Sequence, residues 1–259
     1  MSEPVDLERR FGGLGRLYGG DFHQWLLGQA HAVVVGVGGV GSWAVEALAR
    51  SGVGRITLID MDHVAESNIN RQIQAQDLSL GQAKTQALAD RIASYAPTCE
   101  VKQVDDFLTP ENAADLLDAA RQWGGPYTVV LDCCDQVAAK QAMVLLCRPR
   151  KLPLWLAGSA GGKTQPWLLT VADLKDTTHD PLLAKLRYQL RRQHGYGQKP
   201  EKPLGVSVVY SPEAVRKPAQ CDAQAGLNCA GYGSAVTVTA SMGMQLAAQA
   251  LNHWAKQAR

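Results

Sequence analysis

A doubly wound α/β fold is predicted for this chain, with a mostly parallel sheet and a carboxy-terminal extension of additional strands and helices. Three observations predict it. Short β-branched runs alternate with helical stretches from Ala32 onward, a glycine-rich turn follows the first run, and a carboxylate, Asp60, closes the second. AVVVGV reads as a strand and Val40 to Ser51 as a helix. RITLID is the next strand, followed after a loop by a helix across Lys84 to Tyr95. CEVKQVDDF is the third strand, and PENAADLLDAARQW a helix with Pro110 in its first turn, where its missing N–H is tolerated. YTVVLD is a strongly apolar fourth strand, Gln136 to Cys147 a helix, and LPLWLAG a fifth strand. Apolar strands separated by helices require a parallel sheet covered on both faces.

After Ala160 the pattern changes. GGKTQPWLLTVADL reads as a turn and a strand of antiparallel type, DPLLAKLRYQLRRQHG as a helix with a basic face, and VSVVYS as another strand. The Pro/Gln/Ala-rich segment from Ser211 to Asn228 has no periodicity and reads as a mobile loop. With no repeat and no strong linker, residues 1–259 are expected to form a single domain. Its nucleotide-binding core spans about 30–160 and its substrate-side extension about 161–259.

Composition bounds the function. Hydrophobic residues make up 46% and charged residues 19%, as in ordinary globular proteins, and the net charge of +2 is too small for a whole-molecule field that attracts nucleic acid. Any basic surface must be local. MSEPVDLERRFGG has no apolar signal-peptide core, and the six cysteines form no CxxC pair, so a reducing cytoplasm with free thiols is expected. Residues 223–255 contain no Asp, Glu, Lys or Arg. Their many Ser, Thr, Gln and Gly residues favour a helix buried against the sheet or a partner subunit over the alternative, a membrane span.

VVVGVGGVGSW places Gly36, Gly38, Gly39 and Gly41 between a strand and a helix, where glycines permit a tight turn and helix amides face a phosphate. Asp60, 19 residues after Gly41, ends the second strand, where a carboxylate can accept hydrogen bonds from ribose hydroxyls. An NAD enzyme should add acid–base residues beside a nicotinamide and has no reason to grip a triphosphate. Here Asn68, Asn70, Arg71, Gln72 and Lys84 follow, then Asp132 and Asp135. Two cations with amide donors suit a polyphosphate, and a strand-end carboxylate suits Mg²⁺, which takes one or two carboxylates plus phosphate oxygens. Arg71 and Lys84 would neutralise charge on the α-phosphate and the departing pyrophosphate, so the ligand read from these residues is ATP.

GVGGVG at 36–41, Asp60 with Asp62, SNINRQ at 67–72, Lys84 and LDCCDQ at 131–136 together resemble the adenylating domain of ubiquitin-activating enzymes and their bacterial relatives. The resemblance implies that Asp60 holds the ATP ribose, that Arg71 and Lys84 hold phosphates, and that Asp135 is the Mg²⁺-binding carboxylate needed for adenylation. Gln136 stands where many relatives have Asn. The resemblance also implies a homodimer in which an amino-terminal arginine reaches the neighbour's phosphates. Arg10 and Arg16 are the candidates, with Arg16 carried forward as a nucleotide contact.

A narrower resemblance runs through nearly the whole chain. RFGGLGRLYG, GVGSWAVEALARSGVGRITLIDMD, DDFLTPEN, DPLLAKLR and NCAGYGSA are similar to the bacterial tRNA threonylcarbamoyladenosine dehydratase family. It implies that ATP activates the threonyl carboxylate of a modified adenosine beside the anticodon, and that cyclisation then expels AMP. It also suggests association with a cysteine-desulfurase/sulfur-acceptor system. Lys185, Arg187, Arg191, Arg192, Lys199 and Lys202 concentrate positive charge where tRNA phosphates could bind, and Tyr188 and Tyr196 could stack on unpaired bases. A solvated helix face is the competing reading of that run.

The remaining nucleophiles stay open to simpler readings. Cys221 lies where relatives can place a thioester-forming cysteine, although cyclisation needs no covalent enzyme intermediate. Cys229, Cys133 and Cys134 read as structural, and the histidines have no metal-binding spacing. Three other functions share parts of this pattern. An adenylyltransferase for a ubiquitin-like sulfur carrier uses the same ATP residues, but its zinc-bearing forms carry CxxC pairs that this chain lacks. An NAD oxidoreductase leaves Arg71, Lys84 and Asp135 unexplained, and a non-catalytic partner-binding module would retain only the fold.

Overall fold

Alternation along the first strand decides how the sheet is covered. In β1 (His31–Val35), Ala32 and Val34 face one layer, Val33 and Val35 the other, and all four are buried. The computed structural model describes residues 5–197, 199, 202–216 and 232–259. Its seven-stranded sheet adds β2 (Arg55–Ile59), β3 (Glu100–Val104), β4 (Thr128–Asp132), β5 (Leu154–Ala157), β6 (Thr170–Asp173) and β7 (Ser207–Tyr210). The order is β3-β2-β1-β4-β5-β7-β6, parallel except where β6 closes the edge antiparallel to β7. On one face lie α1 (Leu7–Tyr18), α2 (Phe22–Gln29), α3 (Gly41–Arg50), α4 (Lys84–Tyr95) and α8 (Val236–Gln257). On the other lie α5 (Ala113–Gly124), α6 (Val137–Cys147) and α7 (Pro181–His194).

From Val236 onward the uncharged stretch near the carboxy terminus is a core helix. Val238, Met242, Leu246, Ala250 and Trp254 recur every fourth residue of α8 and are all 0% exposed, forming one stripe against α3 and the sheet. Burial of each large member contributes about 1.5–3 kcal/mol. Trp254 Nε1 donates to the Tyr127 carbonyl at 2.9 Å, so its one polar atom is satisfied. No helix among the described residues is long and apolar enough to cross a membrane.

Several boundaries differ from the sequence expectation. The third strand stops at Val104, and Pro110 lies ahead of α5, whose N-cap is Asn112. Ser211 to Arg216, expected to begin a mobile loop, is tied down: the Glu213 carboxylate accepts from the Thr164 and Gln165 amides at 2.9 Å each, and Arg216 N donates to Gly162 O at 2.8 Å. Residues 217–228 of that loop, with Cys221, and Cys229 after it, lie outside the described residues. Neither α1 nor α2 was expected from the sequence, and the glycines of RRFGGLGRLYGG disfavour the first of them. That helix begins at the Asp6 cap, which accepts from Arg9 N at 2.9 Å, and its small residues permit close packing, with Gly15 buried against Gly20 and His23.

Candidate nucleotide-binding site

Strands β1 and β4 are neighbours although β2 and β3 intervene in sequence, so the connections diverge there and a crevice opens at the strands' carboxyl ends. A cavity of 680 Å³ occupies this position. Gly36, Gly38 and Gly39 form part of its wall. Gly36 has φ 81°, and a Cβ there would lie 3.0 Å from the Cys134 backbone, so only glycine lets the first turn pass the turn after β4. Gly41 does not line the cavity. A Cβ on it would collide with the Gly36 carbonyl, so Gly41 serves the packing of α3 on β1.

Asp60 sits at the end of β2, with Oδ2 accepting from Val37 N at 2.7 Å and Oδ1 from Asp62 N at 2.9 Å. Burial pushes its carboxyl above the usual range, and the two amide hydrogen bonds and Lys84 oppose that shift. The long segment after it folds back on itself: Val64 N donates to Gln82 O at 2.8 Å and Lys84 N to Asp62 O at 2.9 Å. This closure brings Lys84 Nζ to 2.6 Å from Asp62 Oδ2 on the cavity wall.

Arg71 is held from behind by Trp43, whose Nε1 donates to the Arg71 carbonyl at 3.0 Å. Its Nη1 donates to Ser67 O at 2.7 Å and to Asn70 Oδ1 at 2.9 Å, neither of which carries charge. Asn68 and Gln72 line the cavity beside it, whereas Asn70 is exposed and off the wall, acting on Arg71 instead. Asn68 Oδ1 also caps the turn before it by accepting from Ala65 N at 3.1 Å.

Two aspartates close β4 in different environments. Asp135 is exposed at the cavity, and no hydrogen bond or ion pair holds its carboxylate among the described residues. Asp132, expected as a nucleotide contact, does not reach the cavity. Its side chain is 0% exposed beneath α6, where Oδ2 meets Lys140 Nζ at 3.0 Å. The Cys134 thiol donates to Asp132 Oδ1 at 3.0 Å. Burial, and then the Asp132 charge, push that thiol well above its ordinary value, so it is a donor and no thiolate nucleophile.

The other expected residues fall outside this crevice. Arg16 is exposed on α1, and Arg10 donates Nη1 to the Tyr95 carbonyl at 2.8 Å. On α7, Lys185, Arg191 and Arg192 are exposed, as are Lys199 and Lys202 beyond it. Arg187 is not a free cation on that face. Its Nη1 donates to Leu174 O at 2.9 Å and Thr177 O at 3.0 Å, locking α7 to the turn before it. Tyr188 is exposed and hydrogen-bonded to Arg192, while Tyr196 already carries the Arg148 guanidinium 4.8 Å from its ring centre. Sequence reasoning missed the wall formed by Phe107, Leu108, Thr109 and Pro110, and the contributions of Ser159, Leu182, Ser234 and Thr239. For Phe107 to Pro110 the available signal was position, directly after a parallel strand's carboxyl end.

A doubly wound sheet with a glycine turn, a carboxylate at the end of its second strand and two cations at its switch point defines the class: the chain belongs to the ThiF family, whose family model matches residues 15–257. Over 263 residues the chain is 43% identical to the tRNA threonylcarbamoyladenosine dehydratase of Escherichia coli (strain K12), covering 97% of this chain and 96% of that protein. It is 41% identical over 247 residues to the dehydratase of Haemophilus influenzae, covering 94% and 92%. The crystal structure of the Escherichia coli enzyme in complex with ATP matches with a TM-score of 0.87 at 41% identity, over 100% of this chain and 98% of that one.

Proposed function

We propose that this chain catalyses the ATP-dependent dehydration of threonylcarbamoyladenosine next to the tRNA anticodon. The observation that carries the reading is the cavity at the β1–β4 switch point, which gathers Asp60, Arg71, Lys84 and Asp135 around a glycine turn. The threonyl carboxylate attacks the α-phosphorus of ATP, an acyl-adenylate forms and pyrophosphate leaves. A neighbouring nitrogen or oxygen of the same nucleoside then closes on the acyl carbon, and AMP departs with the former carboxylate oxygen. The ring-closing atom is already held in place, an advantage of about 7–11 kcal/mol.

Each residue has a defined task in this reading. Asp60 accepts the ribose hydroxyls, the glycine-turn amides face the phosphates, and Arg71 and Lys84 stabilise charge as the P–O bond breaks. Asp135 fits a magnesium ligand because its carboxylate faces the cavity without a protein partner among the described residues, and the ion's remaining oxygens would come from phosphate. Bound there, Mg²⁺ would neutralise the departing pyrophosphate. Lys185, Arg191 and Arg192, exposed on α7, would supply a basic face for tRNA, and Arg16, exposed on α1, would serve the neighbour's phosphates in a homodimer. Residues 1–259 act as one adenylating domain in this reading. A cytoplasmic setting is part of this reading, and the family resemblance suggests a cysteine-desulfurase/sulfur-acceptor partner.

The test incubates purified protein with Mg·ATP and tRNA carrying threonylcarbamoyladenosine, then weighs the nucleosides by mass spectrometry. Loss of one water from that nucleoside, abolished by Asp135→Ala, is expected. An unchanged nucleoside with competent tRNA would overturn the reading in favour of carrier-protein adenylation.

A further inference from the structure

Three residues before the exposed Asp135, a buried polar node is built into the turn after β4. Asp132 Oδ1 accepts from Cys134 N at 3.1 Å and from Cys134 Sγ at 3.0 Å, which fixes the residue immediately preceding Asp135. Asp132 Oδ2 accepts from Lys140 Nζ at 3.0 Å, and the same ammonium donates to Ala157 O at 2.8 Å. Ala157 ends β5 and leads directly into Gly158 to Gly161, which form another wall of the cavity. Both charged side chains are 0% exposed, and neither lines the cavity.

We infer that Lys140 and Asp132 are positioning residues: their buried pair sets the Asp135 turn against the end of β5, so that the Asp135 carboxylate is held where adenylation needs it. This inference rests on the adenylation reading above. Stability is a poor explanation for the pair. Removing two charges from water is costly, and an apolar pair of similar volume is often as stable or more so. Orientation accounts for the placement better, because a carboxylate on an exposed turn wanders unless its backbone is braced, and a misplacement of about 1 Å can cost about a hundredfold in rate. The node braces it from two directions, through Cys134 in its own turn and through Ala157 at the end of the neighbouring strand.

The test measures AMP release with Mg·ATP and threonylcarbamoyladenosine-bearing tRNA, normalised to folded protein, for Lys140→Met and for Asp132→Asn combined with Lys140→Met. The double substitution leaves no unpaired buried charge, so it tests the idea even where the single variant unfolds. The expected result is a kcat reduced tenfold or more, an ATP KM within twofold of wild type, and a higher Mg²⁺ concentration for half-maximal rate. Lys140→Arg, which keeps a buried cation beside Asp132, restores most of kcat. A merely structural pair would lower the melting temperature and leave kcat per folded molecule within twofold of wild type, which overturns the inference. Asp135→Ala assayed in parallel separates the two claims. If it stays active the adenylation reading fails, and if it is dead while the folded Lys140 variants are fully active only the positioning role fails.

Discussion

Lys84 Nζ lies 2.6 Å from Asp62 Oδ2, a contact between residues on opposite sides of a long excursion from the sheet. The ammonium is almost covered, with 8% of its side chain exposed, while Asp62 is 53% exposed. Water therefore compensates Asp62, and the pair is worth at most about 1 kcal/mol to folding. In the proposed adenylation reading its consequence is catalytic. Lys84→Met is expected to lower the rate of AMP release by about 10²–10³-fold with little change in melting temperature. Initial rates and thermal melts on the same samples decide it, and a loss of folding matching the loss of rate contradicts the assignment.

Among the described residues the Arg71 guanidinium contacts only neutral acceptors, Ser67 O and Asn70 Oδ1, so no carboxylate there neutralises its charge. Losing a charge-assisted hydrogen bond costs about 1.5–3 kcal/mol. Arg71→Ala is therefore expected to weaken ATP binding roughly ten- to a hundredfold, read by calorimetric titration. Arg71→Lys recovers part of this, since an ammonium lacks the planar fork. Asn70→Ala, which removes one anchor of the guanidinium, gives a smaller effect in the same direction.

His31 lies at the opposite end of β1, between Thr57 Oγ1 and Thr128 Oγ1 at 2.9 Å each. Burial first, then Arg55 and Lys102, lower its pKa to about 3. The unfolded chain binds the proton more readily, so stability from the neutral ring is complete above about pH 6.5 and is lost as pH falls from there toward 3. Near pH 5 this one residue should make stability fall by close to 1.4 kcal/mol per pH unit. Urea midpoints at pH 7 and pH 5 test it. His31→Gln should flatten that dependence, and an equal slope in wild type and variant would refute the assignment.

On α7 the cations divide by what they touch. Arg187→Ala removes the donor shared by Leu174 O and Thr177 O and is expected to destabilise the fold by about 1–3 kcal/mol, leaving tRNA affinity per folded molecule unchanged. Lys185→Ala and Arg191→Ala should do the reverse, each reducing the salt dependence of tRNA binding by about one unit of slope with no change in melting. Filter binding across a salt series separates the groups.

How much of this was readable in advance depends on how local each cause is. The glycine turn was legible because Gly36 needs φ 81° and close approach, requirements a single residue carries. Helix α4 was legible at both ends, Lys84 and Tyr95, because its apolar period is uninterrupted. The amino-terminal helices were not, since α1 is rich in glycine and its packing against Gly20, His23 and Gly52 is a long-range matter.

The same distinction separates Asp132, the last residue of β4, from Asp135 in the turn after it. Composition, hydrophobic period and strand-end chemistry determined the layered sheet, the nucleotide crevice and the candidacy of both Asp132 and Asp135. Only the tertiary structure decided between them. Asp132 keeps the parity of Val130, which faces the layer holding α6, so it is carried under that helix to Lys140. Asp135 lies past the last rung of the ladder, where the turn aims it into the cavity. Strand alternation is a local property, but what lies on each side of a strand is set by where the crossing helices pack, and that is a property of the whole fold.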